Sequence, residues 1–518
     1  MGKLSPTLYY TLVVALGGFI FGFDASVISG AIGFIDSAFS LTPWQQGFVV
    51  SSPTLGALLA MTVAGVVSDA LGRRTTLLYI ALLYLCSAIA SALATHYTML
   101  VVARFIGGMA FCSLVVAPVY ISEISEPEHR GKMVSVNQLH IVLGFALSYF
   151  SNYFFLNLSE SDAGWVASLG ISSAPWRFML GLEVVPALAW FILLFFVPES
   201  PRWLLLKGRD EQAKKVVNRL FSGDDAIKQL NAIMTSLNER SWHWREGARA
   251  LFTPALRFPL LIGLILGISQ QVTGINVIFF YAPTIFEQSG VGTNAAFMQA
   301  IWIGLVNIVF TLVAMYTIDR WGRKPLLITG LCGVALSMAV CTYGFSQAEF
   351  YLDRDAVAEL AAIVPELAEA LGPVSQIAFD SDIAFKQAVA SAAGDAMFQQ
   401  HEALLLSKSI DMNAPLVLFG IMAFVASFAM SLGPVMWTML AEIFPNQSRA
   451  LALSLVGVVN ALASFLVQFV FPWELSQFGA AFTFAVYGVL ALISLVLVIR
   501  LFPETKGLSL EQISKKLQ

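Results

Sequence analysis

The sequence predicts an all-α membrane protein, with twelve transmembrane helices in two six-helix bundles, small intracellular helices and an external insert. Three observations lead to this fold class. The 518 residues are 58% hydrophobic and only 12% charged, with a mean hydropathy of +0.76, whereas soluble domains carry about 25% charged residues. Apolar runs of about 20 residues, long enough to cross a bilayer as a helix, occur twelve times. Several motifs recur in the second half of the chain, as in membrane proteins built from parallel repeats.

The twelve spans fall into two groups of six on either side of a polar segment. The first six centre near Ile20, Gly56, Leu85, Met109, Gly144 and Ala187. The second six centre near Thr273, Val306, Val334, Met430, Ala461 and Val489. We therefore predict a first bundle at 1–197, a cytoplasmic linker at 198–257, a second bundle at 258–502 and a tail at 503–518. Apolar spacing in the linker predicts helices at Glu211–Leu220 and Ala226–Leu237.

Lysine and arginine decide the orientation of the chain. They cluster in alternate loops and in the linker, beginning with Arg73 and Arg74, whereas the loops at Phe34–Gln46 and Asn157–Pro175 have none. By the positive-inside rule, the basic side is cytoplasmic. We therefore expect an integral, multi-pass protein of the plasma (inner) membrane with both termini in the cytoplasm.

A segment of acidic composition separates the ninth and tenth spans. Residues 346–413 are rich in Ala, Asp and Glu, and the orientation places them outside. Helical spacing of apolar residues, as at Ala356–Leu371, predicts helices within this external insert. The composition leaves open whether the insert is a solvated loop, a lid, an oligomer contact or a docking site, and it identifies no protein partner.

Charged motifs repeat at the cytoplasmic ends of the two halves. VSDALGRRT around Asp69 matches TIDRWGRKP around Asp319, and each contains a glycine that permits a tight turn. A Glu–x6–Arg spacing also recurs. We hypothesise a cytoplasmic gate in which these charges pair across the halves when that side is closed; the alternative is static anchoring by positive charge. The candidate gate residues are Asp69, Arg73, Glu123, Arg130, Asp319, Arg323, Glu442 and Arg449.

The seventh span carries many polar groups for a membrane helix. In QQVTGINVIFFY, Gln270, Gln271 and Asn276 flank Gly274, and Pro283 follows. Unpartnered amides cost several kcal/mol in hydrocarbon, so these side chains must face other helices or a watery cavity. Because amides both donate and accept hydrogen bonds, they suit a neutral polyhydroxylated ligand. The alternative is that they only join neighbouring helices.

Two charges lie deep in the first bundle. Asp24 is most of the way across the first span from the inside, and Arg104 is one or two turns into the fourth span from the outside, so their depths match. A carboxylate held between burial and a guanidinium is able to take up and release a proton. A permanent structural ion pair is the alternative. Glu183 is a further buried carboxylate with no evident partner, and no role is assigned to it.

Taken together, the motifs resemble those of the sugar porter branch of the major facilitator superfamily. GFDASVISGA, the DALGRR and DRWGRK turns, PESPRWLL, QQVTGIN, GPVMW and PETKG cover almost the whole chain apart from the external insert. The resemblance implies two six-helix bundles, small intracellular helices and transport by alternating access. Asp24 is similar to the proton carrier of the proton-coupled members, with Arg104 as its partner, whereas facilitative uniporters have asparagine there.

The resemblance also implies a sugar site. Family positions that contact the sugar are matched by Gln270, Gln271, Asn276, Asn307, Trp437 and Asn460. Tyr281 matches an outer-gate aromatic. Phe145 stands at a pocket position where the family commonly has glutamine, and Ala461 where many relatives have tryptophan. The expected pocket is therefore less polar on one side and roomier on another.

Together these observations predict a proton-coupled symporter that imports a monosaccharide, a hexose or a pentose. The alternatives are an uncoupled sugar uniporter and a proton-coupled inositol or polyol transporter. The expected partners are a small-molecule sugar, the proton and the lipid bilayer. We expect no enzymatic activity, cofactor, metal site or nucleic acid, since the five histidines have no ligand spacing and neither a phosphate loop nor a nucleophile elbow occurs.

Overall fold

The structure is a computed structural model, and it describes residues 5–126, 128–221, 223–238, 253–379 and 381–506. Most of these residues are helical. Part of the predicted linker, at 239–252, and most of the predicted tail, from 507, lie outside the described residues.

The first half contains six helical spans. Spans 1 and 2 each begin with a proline, which suits the first helical position because its missing N–H needs no partner there. The residue before each proline caps the helix, since the side chains of Ser5 and Thr42 accept hydrogen bonds from backbone N–H groups of the first turn. Spans 1 to 6 are Pro6–Phe39, Pro43–Leu71, Arg73–Ala92, Tyr97–Ile124, Arg130–Ser159 and Pro175–Leu194.

Two of these spans are divided, and smaller helices follow them. Span 4 consists of Tyr97–Met109 and Ser113–Ile124 with a 3₁₀ turn between them, and span 6 consists of Pro175–Gly181 and Val184–Leu194. A short helix, Gly164–Ser168, precedes span 6. The described part of the linker forms the helices Pro201–Leu206, Asp210–Leu220 and Asp224–Asn238.

The second half also contains six spans. Spans 7 to 10 are Leu256–Phe280, Thr293–Trp321, Arg323–Ser346 and Ala414–Ile443. The last helical segment, Asn446–Leu501, has 56 residues, far more than the roughly 20 that cross a bilayer. Gly479 interrupts it with a φ of 75°, so it holds spans 11 and 12 on either side of this glycine. Twelve spans are therefore present in the described residues, and the predicted count is confirmed.

The turns between spans 2 and 3 and between spans 8 and 9 are built alike. Gly72 and Gly322 have φ values of 99° and 97°, which only glycine adopts without strain. A β-carbon at Gly72 would lie 2.3 Å from a carboxylate oxygen of Glu199, and one at Gly322 would lie 2.8 Å from Glu504. The repeated glycine thus brings a carboxylate from the end of each half onto the turn.

The external insert has a core and a small sheet of its own. Its antiparallel strands, β1 (Glu349–Tyr351), β2 (Ala378–Phe379) and β3 (Ile410–Asp411), run in the order β2–β1–β3. Phe350 of β1 pairs with Phe379 and with Ile410. A separate buried cluster, including Leu360, Phe385 and Leu405, lies beneath the sheet and helices. The insert helices are Arg354–Ile363, Pro365–Ala370, Asp382–Ala393 and Asp395–Ser409.

We name the end of the molecule that carries Arg73 and Arg323 the inner end, and the opposite end the outer end. At the outer end, Trp44 of span 2 stacks on Trp473 of span 11 with ring centroids 5.2 Å apart. One helical turn below Trp44, Gly47 packs so tightly that a β-carbon would lie 2.1 Å from the backbone oxygen of Phe469. The two bundles therefore meet directly along spans 2 and 11.

A second outer contact joins span 5 to the start of span 8. The Asn294 side-chain amide donates a hydrogen bond to Asn157 over 3.1 Å, and the rings of Phe34 and Phe297 meet edge to face at 6.4 Å. Contacts on both sides of the molecule thus close the outer end.

Candidate functional site

Span 7 is interrupted near its middle. The helix Pro254–Val272 ends before Gly274, which has a φ of 89°, and the short helices Ile275–Phe280 and Ala282–Glu287 follow. A β-carbon at Gly274 would lie 2.9 Å from the ring of Tyr487. An interrupted backbone is tolerated at membrane depth only where protein or water covers the freed groups, so the break marks an interior polar site.

The predicted amides form one hydrogen-bonded cluster around this break. Asn460 of span 11 donates to Gln270 Oε1 over 2.9 Å and to the Gly267 carbonyl over 2.8 Å. Gln271 donates to Asn460 Oδ1 over 3.2 Å, and Asn276 donates to Gln271 Oε1 over 2.8 Å. Four of the six residues that are predicted to contact the sugar therefore lie together, three on span 7 and one on span 11.

The cluster continues along span 11 through residues that the sequence analysis missed. Asn276 donates to Ser464 over 2.6 Å, and Gln468 donates to the same hydroxyl over 2.6 Å. Thr54 of span 2 then donates to Gln468 Oε1 over 3.1 Å, which carries the network into the first bundle. The spacing of residues 460, 464 and 468 along one helix face is the signal that could have identified them.

The structure places the remaining predicted contacts as follows. Asn307 is buried on span 8. Trp437 on span 10 is 46% exposed, and a β-carbon at Gly457 would lie 3.9 Å from its ring. Tyr281, the predicted outer-gate aromatic, is buried, donates to the Gln468 carbonyl over 3.1 Å and packs on Phe471.

Phe145 of span 5 packs against aromatic rings of spans 1 and 7. Its ring lies 4.8 Å from that of Phe279 on span 7 and 6.4 Å from that of Phe21 on span 1. One turn further along span 5, the Tyr149 hydroxyl donates to the Phe279 carbonyl over 2.7 Å. Spans 5 and 7 are therefore joined across the bundles by one ring contact and one hydrogen bond, close to the amide cluster.

Asp24 and Arg104 form a buried ion pair inside the first bundle. Arg104 Nη1 lies 3.2 Å from Asp24 Oδ1, and both side chains are at most 5% exposed. Arg104 Nε also donates to the Val49 carbonyl over 3.2 Å. Asp24 Oδ2 is buried and has no hydrogen-bond partner among the residues that the structure describes. One oxygen of the carboxylate is thus engaged and the other is free to hold a proton.

Glu183, to which the sequence analysis assigned no role, belongs to the same charged group. It is buried, and it interacts electrostatically with both Asp24 and Arg104. Its Oε1 has no hydrogen-bond partner. Sequence reasoning could not place it there, because the contact depends on how span 6 packs against spans 1 and 4.

The predicted gate charges of the first half are joined within that half. Arg73 lies 2.8 Å from Asp69 and binds Glu123 through two nitrogens, over 3.0 and 3.1 Å. The Ser200 hydroxyl also donates to Glu123, over 2.5 Å. Arg130 instead donates to the Ser122 carbonyl over 3.1 Å. Glu123 is thus paired with the turn arginine rather than with the arginine seven residues ahead.

The second half repeats this arrangement. Arg323 lies 3.2 Å from Asp319 and 2.8 Å from Glu442, and Thr505 donates to Glu442 over 2.6 Å. Arg449 donates to the Phe444 carbonyl over 3.2 Å, as Arg130 does to the end of span 4. Neither of these two ion-pair sets bridges the halves in this structure.

A carboxylate missed as a site residue completes each set. Glu199 accepts hydrogen bonds from the backbone N–H groups of Arg73 and Arg74, over 2.8 and 3.1 Å. Glu504 accepts from those of Arg323 and Lys324, over 3.1 and 3.0 Å. These N–H groups begin spans 3 and 9, where a negative charge offsets the helix dipole. The echo of PESPR in PETKG was the available signal.

Comparisons with known proteins agree with this arrangement. The family model described as "Sugar (and other) transporter" matches residues 10–365 and 388–517. The chain is 34% identical over 503 residues to the arabinose-proton symporter of Bacillus subtilis (strain 168), which covers 96% of this chain and 92% of that protein. It is 31% identical over 536 residues to the D-xylose-proton symporter of Escherichia coli (strain K12), with coverage of 97% and 94%.

The fold comparison gives the same result. The inward open structure of the xylose transporter XylE from E. coli superimposes with a TM-score of 0.74 at 28% identity, covering 99% of this chain and 100% of that one. From the repeated six-span bundles, the near full-length family match and these relatives, it follows that the chain belongs to the sugar transporter family, as the sugar porter motifs of the major facilitator superfamily predict.

Proposed function

We propose that this protein is a proton-coupled symporter that carries a monosaccharide into the cell, with both termini on the cytoplasmic side of the plasma membrane. The observation that carries the coupling is the buried Asp24–Arg104 pair, in which Asp24 Oδ2 has no hydrogen-bond partner. An ionisable residue inside a membrane is costly and is retained where it serves a relay. The relatives named arabinose-proton and D-xylose-proton symporters support the same activity.

The amide cluster supplies the sugar site in this proposal. Gln270, Gln271, Asn276 and Asn460 form hydrogen bonds with one another, so a bound sugar would replace amide–amide hydrogen bonds with amide–hydroxyl bonds. This exchange keeps buried polar groups paired, which limits the cost of emptying the site. The ring of Phe145 offers an apolar surface to the C–H face of the sugar.

Protonation sets the direction of transport. A proton on Asp24 Oδ2 removes the negative charge and weakens the attraction to Arg104, which favours the sugar-loaded carrier. After the turn inward, release of the proton restores the ion pair and favours return of the empty carrier. A proton gradient therefore drives sugar uptake because proton and sugar complete the cycle together.

The decisive test is sugar uptake into proteoliposomes under an imposed pH gradient. Asp24→Asn is expected to abolish accumulation above equilibrium while sugar counterflow continues, because asparagine cannot release a proton. Asp162→Asn, an exposed acid in an outer loop, serves as the control and should accumulate sugar like the unmodified protein. Unchanged accumulation in Asp24→Asn would refute the coupling and leave a uniporter.

The substrate class is tested separately. Pentoses, hexoses and inositols compete against one radiolabelled monosaccharide in the same liposomes. Stronger competition by pentoses or hexoses supports the monosaccharide assignment. Stronger competition by inositols would instead identify a polyol transporter.

A further inference from the structure

The external insert is attached to the second bundle. Lys386 donates a hydrogen bond to Gln288 Oε1 over 2.7 Å and forms an ion pair with Glu402 at 3.0 Å. Gln288 directly follows the short helix Ala282–Glu287, which comes after span 7, and it is buried. Asp382 lies against the break between spans 11 and 12, where a β-carbon at Gly479 would be 2.5 Å from its Oδ1. The insert therefore moves with the second bundle.

A polar cavity separates the insert from the first bundle. Its volume is about 190 Å³, and it lies at the outer end. The first bundle contributes Asp36 and Gln46, the segment after span 7 contributes Glu287 and Gln288, and the insert contributes Gln400 and Glu402. Any widening of the outer end that separates the bundles must open this cavity.

Three carboxyl groups face this cavity with one ammonium group among them. Glu402 faces Lys386 of the neighbouring insert helix, Asp36 of span 1 and Glu287 of the second bundle, and His401 is next to it on its own helix. Burial raises the pKa of Glu287, which lies beyond the end of span 7, to about 7; a hydrogen bond with Thr293 opposes this and the charge of Glu402 adds to it. Like charges in a closed cavity are compatible only when one of them is protonated.

We propose that the insert is the lid of the outer gate, which travels with the second bundle and brings Glu402 to face Asp36 of the first bundle when the outer end closes. This inference rests on the alternating access of the proposed function. It assigns a role to a segment for which the composition alone left four interpretations open.

The lid makes closure depend on external pH. Burial raises the pKa of Glu287 to about 7, so this carboxyl holds a proton more tightly in the closed cavity than in water, and protonation stabilises the closed state. This stabilisation is complete below the ordinary glutamate pKa of 4.5 and is lost as the external pH rises through about 7. Acid outside therefore favours a closed outer end.

The test measures the width of the outer end by double electron–electron resonance, which gives the distance between two spin labels. Spin labels at Ala38 and Gln477, both exposed and on opposite bundles, report the distance in the full-length chain in liposomes, after replacement of the native cysteines. In the unmodified background the distance should lengthen as the external pH rises from about 5.5 to 8. In Glu402→Gln this change should be smaller, with more of the closed form retained at the highest pH, because one of the repelling charges is gone while the burial of Glu287 remains.

Glu359→Gln is the matched control. It removes a carboxylate from the ion pair with Lys408 elsewhere in the insert and should leave the pH response intact. The lid proposal is contradicted if Glu402→Gln shows the same spin-label distance as the unmodified protein at every pH. It is also contradicted if Glu359→Gln changes the pH dependence of the distance as much as Glu402→Gln does. Sugar counterflow in the same liposomes tests the two proposals separately. If the unmodified protein shows no counterflow, the sugar transport proposal is contradicted, whereas the lid proposal is judged from the spin-label distances alone.

Discussion

At the scale of single residues, Asp24 shows how one side chain is held between two charge states. Its Oδ1 is bound by Arg104, and its Oδ2 is free. Gly107 lies beside this free oxygen, since a β-carbon there would be 3.4 Å from Oδ2 and 2.3 Å from the Ser87 hydroxyl. The missing side chain at Gly107 therefore keeps space around the oxygen that we propose to be protonated.

Phe145→Gln is expected to change sugar selectivity. The amide would replace an apolar ring that now rests on Phe279, and one added hydrogen bond is worth about 1 kcal/mol, or roughly fivefold in apparent affinity for a sugar with a hydroxyl on that side. Competition binding with hexoses and pentoses measures the change. Phe145→Leu, which removes the ring without adding an amide, is the control, and equal effects from both variants would contradict the interpretation.

Tyr149→Phe is expected to weaken closure of the outer end. It removes only the hydroxyl that binds the Phe279 carbonyl across the bundles and leaves a buried acceptor unpaired, at a cost of about 1–3 kcal/mol. Cysteine accessibility at the outer end should rise. Ser122→Ala, whose hydroxyl binds within its own helix, should leave accessibility unchanged, and an equal rise there would argue against the cross-bundle role.

At the scale of elements, the break in span 7 places the amides. A continuous helix would pair its own backbone and would spread Gln270, Gln271 and Asn276 around a cylinder. The turn at Gly274 instead lets Asn276 reach back to Gln271. The amide cluster thus depends on a single left-handed residue.

Gly274→Ala should therefore destabilise the protein. The left-handed conformation costs an alanine about 1–2 kcal/mol, and the added carbon meets the ring of Tyr487 at 2.9 Å. We expect a lower thermal unfolding midpoint in detergent together with weaker sugar binding. Gly65→Ala on span 2, where a β-carbon meets open space, should not lower the midpoint, and equal midpoints for the two variants would contradict the argument.

The sequence predicted some of these elements better than others. The sequence contains local signals for the break in span 7, namely Gly274 and Pro283. Asp24 could also be matched to Arg104, because the two residues lie at similar depths along their spans. The partner of Glu123 could not be predicted, because Arg130 is near in sequence whereas Arg73 is near only after span 4 packs beside the turn. The strands of the insert have only two or three residues each, which is too short to show the two-residue alternation of apolar and polar side chains that predicts a strand.

At the scale of the whole molecule, the contacts described for each charge set lie within its own half. Arg73 and Glu199 in one half correspond to Arg323 and Glu504 in the other, and Arg323 Nε is buried without a hydrogen-bond partner among the described residues. Rocking of the halves can therefore proceed with each turn intact. In the cytoplasmic-gate hypothesis, closure of the inner end then brings two preformed charge sets together.

Gly47→Ala should hold the outer end open. The new β-carbon would lie 2.1 Å from the Phe469 backbone oxygen. Because the neighbour is a backbone atom, rotation of a side chain cannot relieve this contact. The distance between spin labels at Ala38 and Gln477 should lengthen, and net transport should fall. Gly65→Ala on the same span is the control; an unchanged distance in Gly47→Ala would show that spans 2 and 11 do not limit closure.

The pairing of β1 with β3 has a consequence for the history and engineering of the chain. Glu349 of β1 lies opposite Asp411 of β3, so the insert leaves and rejoins the bundle at adjacent strands, about 5 Å apart. Because its two ends are adjacent, such a segment can be gained, exchanged or excised as a unit. After excision, a short hairpin connects spans 9 and 10 without stretching either span. The same junction offers a place to graft a reporter domain onto the outer face.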